Sequence, residues 1–140
     1  MTLDSANQPE VGEMNPRKIL IVDDSKLMHK MYEVVLRTYP LVYAQDGRQA
    51  LDLLRDHRDV DLALIGVNLS NMSELELLAE LRKLGSDAPT VVMVTTDGHE
   101  EETATALQSG AAAYIKKPFH SEELHDVIKR LEDRPWPDVD

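Results

Sequence analysis

The sequence contains no cysteine. That absence removes a disulfide framework, a thiolate nucleophile and a zinc–thiolate site together, and it fits a reducing compartment. Basic residues are scarce beside acidic ones: 15 Lys plus Arg stand against 26 Asp plus Glu, a formal charge of −11. Affinity for a phosphate backbone comes from counterions released by Lys and Arg, so this balance argues against nucleic acid and against an anionic membrane surface. Long apolar runs are also missing. Stretches such as 19–22 and 91–94 fall far short of a bilayer span. The first 16 residues hold no apolar run that could serve as a signal-peptide core. The chain therefore reads as soluble and cytoplasmic. No short-period repeat or low-complexity tract is present.

What remains is a globular composition, 42% hydrophobic over 140 residues, enough for one domain with its own core. Residues 1–16 are polar and read as a flexible N-terminal tail, 17–132 as the domain, and 133–140, with Trp136 between two prolines, as a C-terminal tail. Within the domain, apolar runs without alternation suit strands buried on both faces. They fall at 18–22, 41–44, 62–67, 90–95 and 112–116. Helical periodicity fills the gaps. Ser25 caps a helix whose Leu27, Met31, Val34 and Val35 share one face. Asp46-Gly47 reads as a turn before a helix carrying Ala50, Leu51 and Leu54. Ser73 with Glu76 forms a capping box ahead of Leu77, Leu78, Leu81 and Leu84. Asp97 with Glu100 is a candidate cap for a helix ending at Gly110. Leu124, Val127, Ile128 and Leu131 mark the last helix. Five strands alternating with five helices predict an α/β fold with a parallel sheet between two helix layers.

Ligands of an open parallel sheet bind at the carboxyl ends of its strands. There the sequence places Asp23 and Asp24, then Gly66, Val67 and Asn68, then Thr95 and Thr96, then Lys116, Lys117 and Pro118. An acidic pair, a hydroxyl and an ammonium converge on one edge. Alone, each is an ordinary turn or cap residue; the coincidence at one edge favours a site. The five histidines, 29, 57, 99, 120 and 125, are scattered and read as solvated surface residues. Glu122 with His125 is a single Glu-x-x-His, where a di-iron bundle needs two. The run Glu100-Glu101-Glu102 complements a helix dipole.

These residues carry a resemblance. Ile-Leu-Ile-Val-Asp23-Asp24-Ser, Val-Val-Met-Val-Thr95 and Gly110-Ala-Ala-Ala-Tyr114-Ile-Lys-Lys117-Pro118-Phe119 resemble the first, fourth and fifth strands of a bacterial response-regulator receiver domain, of the single-domain, chemotaxis-regulator kind. The resemblance covers residues 17 to about 132. It implies a flavodoxin-like doubly wound sheet in the order 2-1-3-4-5, the family strand order. It also implies that Asp23 and Asp24 are the acidic pocket, Thr95 and Tyr114 the switch residues, and Lys117 with Pro118 the pocket lysine and cis-proline turn. The sequence departs from the family at one decisive position. The third strand should end in the aspartate that takes the phosphoryl group, and Gly66 stands there. Asp61 lies five residues upstream, roughly 16 Å away at ~3.3 Å per residue. Ser70, Asn71 and Glu74 replace the usual Pro, Gly and Gly of the following loop.

Acyl-phosphate formation needs a carboxylate nucleophile and a Mg²⁺ to neutralise the phosphoryl oxygens. The remaining metal donors implied by the resemblance are Asp23, Asp24 and the backbone carbonyl of Asn68, a weak set for Mg²⁺. Lys117, without its partner at position 66, is expected to turn to Asp23 or Asp24. Three readings follow. The first is a phosphorylation-independent interaction module, not an enzyme, that needs no cofactor. It would meet a kinase or downstream signalling protein through the fourth helix, fifth strand and fifth helix. The second is a conventional Mg²⁺-dependent phosphoaccepting receiver, or a mutant of one lacking its acceptor; Gly66 counts against it. The third, a flavodoxin-like cofactor binder, fails because Asp23 and Asp24 would repel a phosphate from the first loop.

Overall fold

Four consecutive apolar residues, Ile19–Val22, form β1 and are buried throughout. A strand can be apolar on both faces only if both are covered, and helices cover them here. A computed structural model of the chain describes residues 18–67 and 69–132; the two expected tails, Trp136 and Asn68 lie outside the described residues. The chain continues through α1 (Lys26–Val35), β2 (Leu41–Ala44), α2 (Gly47–Asp56), β3 (Leu62–Gly66) and α3 (Glu74–Arg82). After a short 3₁₀ turn at Gly85–Asp87 come β4 (Thr90–Thr95), α4 (Glu100–Gln108), β5 (Ala113–Lys116) and α5 (Ser121–Glu132). All strand pairs are parallel, in the order β2-β1-β3-β4-β5. This is the expected flavodoxin-like arrangement.

Strand side chains alternate between two cores. Leu20, Val22, Ala63, Ile65, Val91 and Met93 face α2, α3 and α4. Ile19, Ile21, Leu62, Leu64, Val92, Val94 and Ile115 face α1 and α5. Burying one such side chain stabilises the fold by about 1.5–3 kcal/mol. Truncating a fully buried one such as Leu64 to alanine costs about 2–5 kcal/mol.

The helix starts follow local chemistry, with three corrections to the sequence reading. Ser25 caps α1, its hydroxyl accepting from the Met28 amide at 3.2 Å. The capping box of Ser73 and Glu76 opens α3 as expected. Asp46-Gly47 is not a separate turn. Asp46 is the N-cap of α2, accepting from the Gln49 amide at 2.9 Å, and Gly47 begins the helix. Any Cβ on Gly47 would come within 2.9 Å of the Met72 sulfur. Asp97 does not cap α4. The helix starts after His99, without a side-chain cap, while Asp97 is drawn 2.6 Å from the Lys116 ammonium. That pair holds the Asp97 carboxyl below its usual range and the Lys116 ammonium above it. The third correction concerns α1. Its packed face is Met28, Met31, Tyr32 and Val35, continued by Leu36 at the C-cap; Met31 and Val35 face inward as expected, but Leu27 and Val34 do not. Leu27 and Val34 are 77% and 69% exposed. Tyr32 decides the rotation, because its ring packs 6.3 Å from that of Phe119 and lies in the core.

Register fixes where the site can form. Val22 pairs with Ile65 and Gly66 with Val94, while Thr95 pairs with Lys116. Asp23, Gly66, Thr95 and Lys117 therefore leave the sheet side by side at its carboxyl edge.

Candidate functional site at the carboxyl edge of the sheet

Asp23 follows β1 directly and is buried. A buried carboxylate must be paired or hydrogen-bonded, and both its oxygens are engaged. Oδ1 accepts from the Ser25 amide at 2.9 Å, and Oδ2 lies 3.3 Å from Lys117 Nζ. Asp24 is exposed. The ion-pair expectation for Lys117 thus resolves to Asp23. Lys117 is itself positioned by its amide, which donates to the Thr95 carbonyl at 2.7 Å. The Lys117–Pro118 peptide is cis, as the family turn implies.

Gly66 lies at this centre. A Cβ built on it would sit 3.2 Å from Asp23 Oδ2 and 3.4 Å from the Val22 carbonyl. Position 66 is thus a neighbour of the Asp23–Lys117 pair, and it contributes no side chain. Asp61 precedes β3 and so lies at the opposite end of that strand. Asn68, the third expected metal donor, lies outside the described residues. Among the described residues no group of three or more His, Cys, Asp or Glu could hold a metal ion. Among the described residues, the Asp23 carboxylate is tied to a lysine and an amide, Asp24 is exposed, and position 66 offers no donor.

Thr95 and Tyr114 are placed differently from one another. Thr95 is buried at the end of β4, its hydroxyl 2.9 Å from that of Thr103 on α4. Tyr114 is 52% exposed on β5. It lies between two grooves. One, of about 250 Å³, runs between α4 and β5 and is lined by Thr95, Thr103, Leu107 and Tyr114 among others. The second, of about 570 Å³, lies toward α5 and includes Ala113, Tyr114, Val127 and Arg130.

Several contacts, at the site and away from it, carry no mark in the sequence. His29 donates from Nε2 to the Asp23 carbonyl at 2.7 Å and stacks on Tyr43 at 4.9 Å. His57 Nδ1 is 3.1 Å from Lys18 Nζ, His99 Nδ1 is 3.0 Å from the Thr96 hydroxyl, and His125 donates to the Val35 carbonyl at 2.9 Å. Four of the five histidines are thus half-buried structural partners, correcting the expectation of solvated ones; His120 alone is exposed. Asn71 departs from the family loop, and spacing does not reveal its partner. Its amide donates to Asp46 Oδ2 at 2.8 Å. Glu74, expected inside the helix, is its buried first residue.

A family profile described as the response regulator receiver domain matches residues 19–129. The chain is 36% identical to the response regulator MprA of Mycolicibacterium vanbaalenii over 125 residues, 88% of this chain and 53% of that protein. It therefore spans about half the length of that relative. It is 37% identical to the chemotaxis protein CheY homolog of Campylobacter jejuni over 120 residues, 79% of this chain and 92% of that one. Among solved structures it resembles the signal receiver domain of an HD domain-containing protein from Pseudomonas fluorescens. There the TM-score is 0.75 and the identity 29%, over 86% of this chain and 88% of the other.

Proposed function

The chain belongs to the response-regulator receiver domain family, and from that premise we propose that it signals through protein contact without accepting a phosphoryl group. The observation that carries this is Gly66 at the end of β3. The position where a nucleophilic carboxylate is required has no side chain, and the adjacent Asp23 is committed to Lys117 at 3.3 Å. A charge-neutral pair holds the edge in one electrostatic state. The chain performs no catalytic step of its own on this reading and needs no cofactor. Any Mg²⁺ is held weakly, by Asp23, Asp24 and the Asn68 carbonyl at best.

Receiver domains interact with kinases and with downstream proteins. The proposed meeting face is α4, β5 and α5, where Tyr114 stands half exposed between two grooves, the arrangement of an aromatic anchor. The partner is a protein in the cytoplasm. The charge of −11 disfavours nucleic acid and anionic membranes as direct partners, and among the described residues no helix is long and apolar enough to cross a membrane. The test is incubation with acetyl phosphate and Mg²⁺ followed by intact mass. The expected result is an unmodified chain; a phosphoryl adduct would return it to the conventional phosphoaccepting class.

A further inference from the structure

Thr95 ends β4 and Thr103 lies in the first turns of α4. Both are buried, and their hydroxyl oxygens are 2.9 Å apart. The protons here can be counted. Two hydroxyls bring two hydrogens. Thr103 Oγ1 is also 2.8 Å from the His99 carbonyl, and Thr95 Oγ1 is 3.4 Å from the Thr96 carbonyl. The His99 carbonyl already accepts from the Thr103 amide at 3.0 Å. Two arrangements satisfy the pair. In one, Thr103 donates to His99 and Thr95 donates to Thr103. In the other, Thr103 donates to Thr95, which reaches the Thr96 carbonyl over the longer distance. In both, the Thr95 hydroxyl is committed to α4. Breaking the pair would leave the Thr95 hydroxyl only the 3.4 Å contact to the Thr96 carbonyl, beyond the usual O–H···O range.

We propose that the Thr95–Thr103 pair is a latch joining the sheet edge to the α4 surface, with Thr103 the positioning residue that fixes the Thr95 rotamer. Three facts give the latch a reach beyond itself. Thr95, Thr103 and Tyr114 line the same 250 Å³ groove. The Thr95 carbonyl accepts from the Lys117 amide at 2.7 Å. Lys117 Nζ in turn lies 3.3 Å from Asp23. A continuous chain of contacts therefore runs from the α4 groove to the buried acid. A side chain that entered the groove and offered a donor or acceptor to either hydroxyl would compete with the latch. Its effect would travel inward to the edge, because linkage between sites is reciprocal. The latch is internal to the chain and stands whether or not a partner docks on α4, β5 and α5.

The test is solution NMR on the full chain, comparing wild type with Thr103→Val and Thr103→Ser. Three-bond couplings report the χ1 rotamer of Thr95; the Tyr114 ring signals and the Lys117 amide report the two ends of the path. Wild type is expected to show one Thr95 rotamer. Thr103→Val should release Thr95 into mixed rotamers and shift both reporters, and Thr103→Ser should keep all three at their wild-type values. The latch is overturned by any of three results. The first is averaged Thr95 couplings in wild type, a measurement that needs no variant. The second is a single Thr95 rotamer with unmoved reporters in Thr103→Val. The third is a Thr103→Ser variant that behaves like Thr103→Val, which would assign the effect to methyl packing.

Discussion

Replacing Gly66 with aspartate would add a carboxylate to an edge that now balances one buried acid against one lysine. The built Cβ position is 3.2 Å from Asp23 Oδ2, so the two carboxylates would stand about 4–5 Å apart. At an effective dielectric constant of ~20, like charges at that separation repel by roughly 4 kcal/mol. Lys117 returns part of this, but a single ammonium cannot fully neutralise two carboxylates. The expected net loss from charge is about 2 kcal/mol in chelator at pH 8. Two controls isolate it. Gly66→Ala reads the steric cost of the tight contact, and Gly66→Asn reads an isosteric neutral side chain. The sign with pH follows from linkage. Repulsion raises the new carboxyl's folded pKa above its unfolded value. The deficit is then absent below about pH 3.9 and grows as pH rises through the folded pKa. Added Mg²⁺ should reverse it, since the new side chain supplies the donor the edge lacks; 10 mM metal at a dissociation constant of ~1 mM would restore about 1.4 kcal/mol. The assay is urea unfolding of the three variants from pH 4 to 8, with EDTA or Mg²⁺. Equal stability of Gly66→Asp and Gly66→Asn at pH 8 in chelator would rule out the charge cost.

Isothermal titration of the native chain with Mg²⁺ should show no tight stoichiometric binding, because the Asp23 oxygens are already engaged by the Ser25 amide and Lys117. Asp46→Ala should cost about 1–2 kcal/mol by thermal or urea unfolding, since it removes the α2 cap together with the Asn71 contact. The Asp46 carboxyl is held below its ordinary 3.8 chiefly by the Gln49 amide. Its ionised form therefore stabilises the fold above that value, and the advantage of wild type over Asp46→Asn should fade as pH falls through the lower folded pKa. Burial, and next the Asp23 charge, push the Tyr32 phenol well above its ordinary 10.0. Its contribution is complete below pH 10 and lost above it, so alkaline unfolding should begin there in wild type and later in Tyr32→Phe. Once a protein partner is in hand, Tyr114→Ala should raise its dissociation constant while circular dichroism stays unchanged. An unaltered constant would move the working surface to α1, where Leu27 and Val34 stand exposed.

The fold was legible because its signals are local and repeated. Unalternating apolar runs at β1, β3 and β4 announced a doubly covered sheet, and Ser25 and Ser73 announced helix starts that the structure keeps. The errors were of two physical kinds. Propensity does not tell which of two adjacent faces of α1 is buried, since the exposed Leu27 and Val34 are as apolar as the packed Met28 and Leu36; the bulk of Tyr32 against Phe119 settles it. Spacing could not foresee contacts made across the chain. Asp97 follows the sequence rule for a cap, but Lys116, 19 residues on, offers it a stronger partner. At the site, the acidic pair, Gly66 and Lys117 were readable from strand ends alone. Thr103 was not, because a threonine in a helix carries no sequence mark of the hydroxyl it will meet.

The loop after Gly66 is held by contacts of its own. Asn71 adopts φ 69°, a left-handed conformation that glycine takes freely and asparagine takes more readily than other residues. Asparagine also does what glycine could not, tying the loop to the α2 cap through Asp46 at 2.8 Å. Next to it, Met72 packs against Gly47 at a distance that would exclude a Cβ. The loop is therefore anchored to α2, independently of any ligand at position 66, while Lys117 and Asp23 satisfy each other beside that position. A lysine without an acceptor at position 66 turns to Asp23 in any case, whereas the Asn71 tie and the Gly47–Met72 contact belong to the loop itself. Here the lysine has a partner and the loop has its own anchor, so the edge is internally satisfied with glycine in place. Restoring a carboxylate at position 66 should accordingly perturb the edge without by itself returning a phosphoryl-responsive switch.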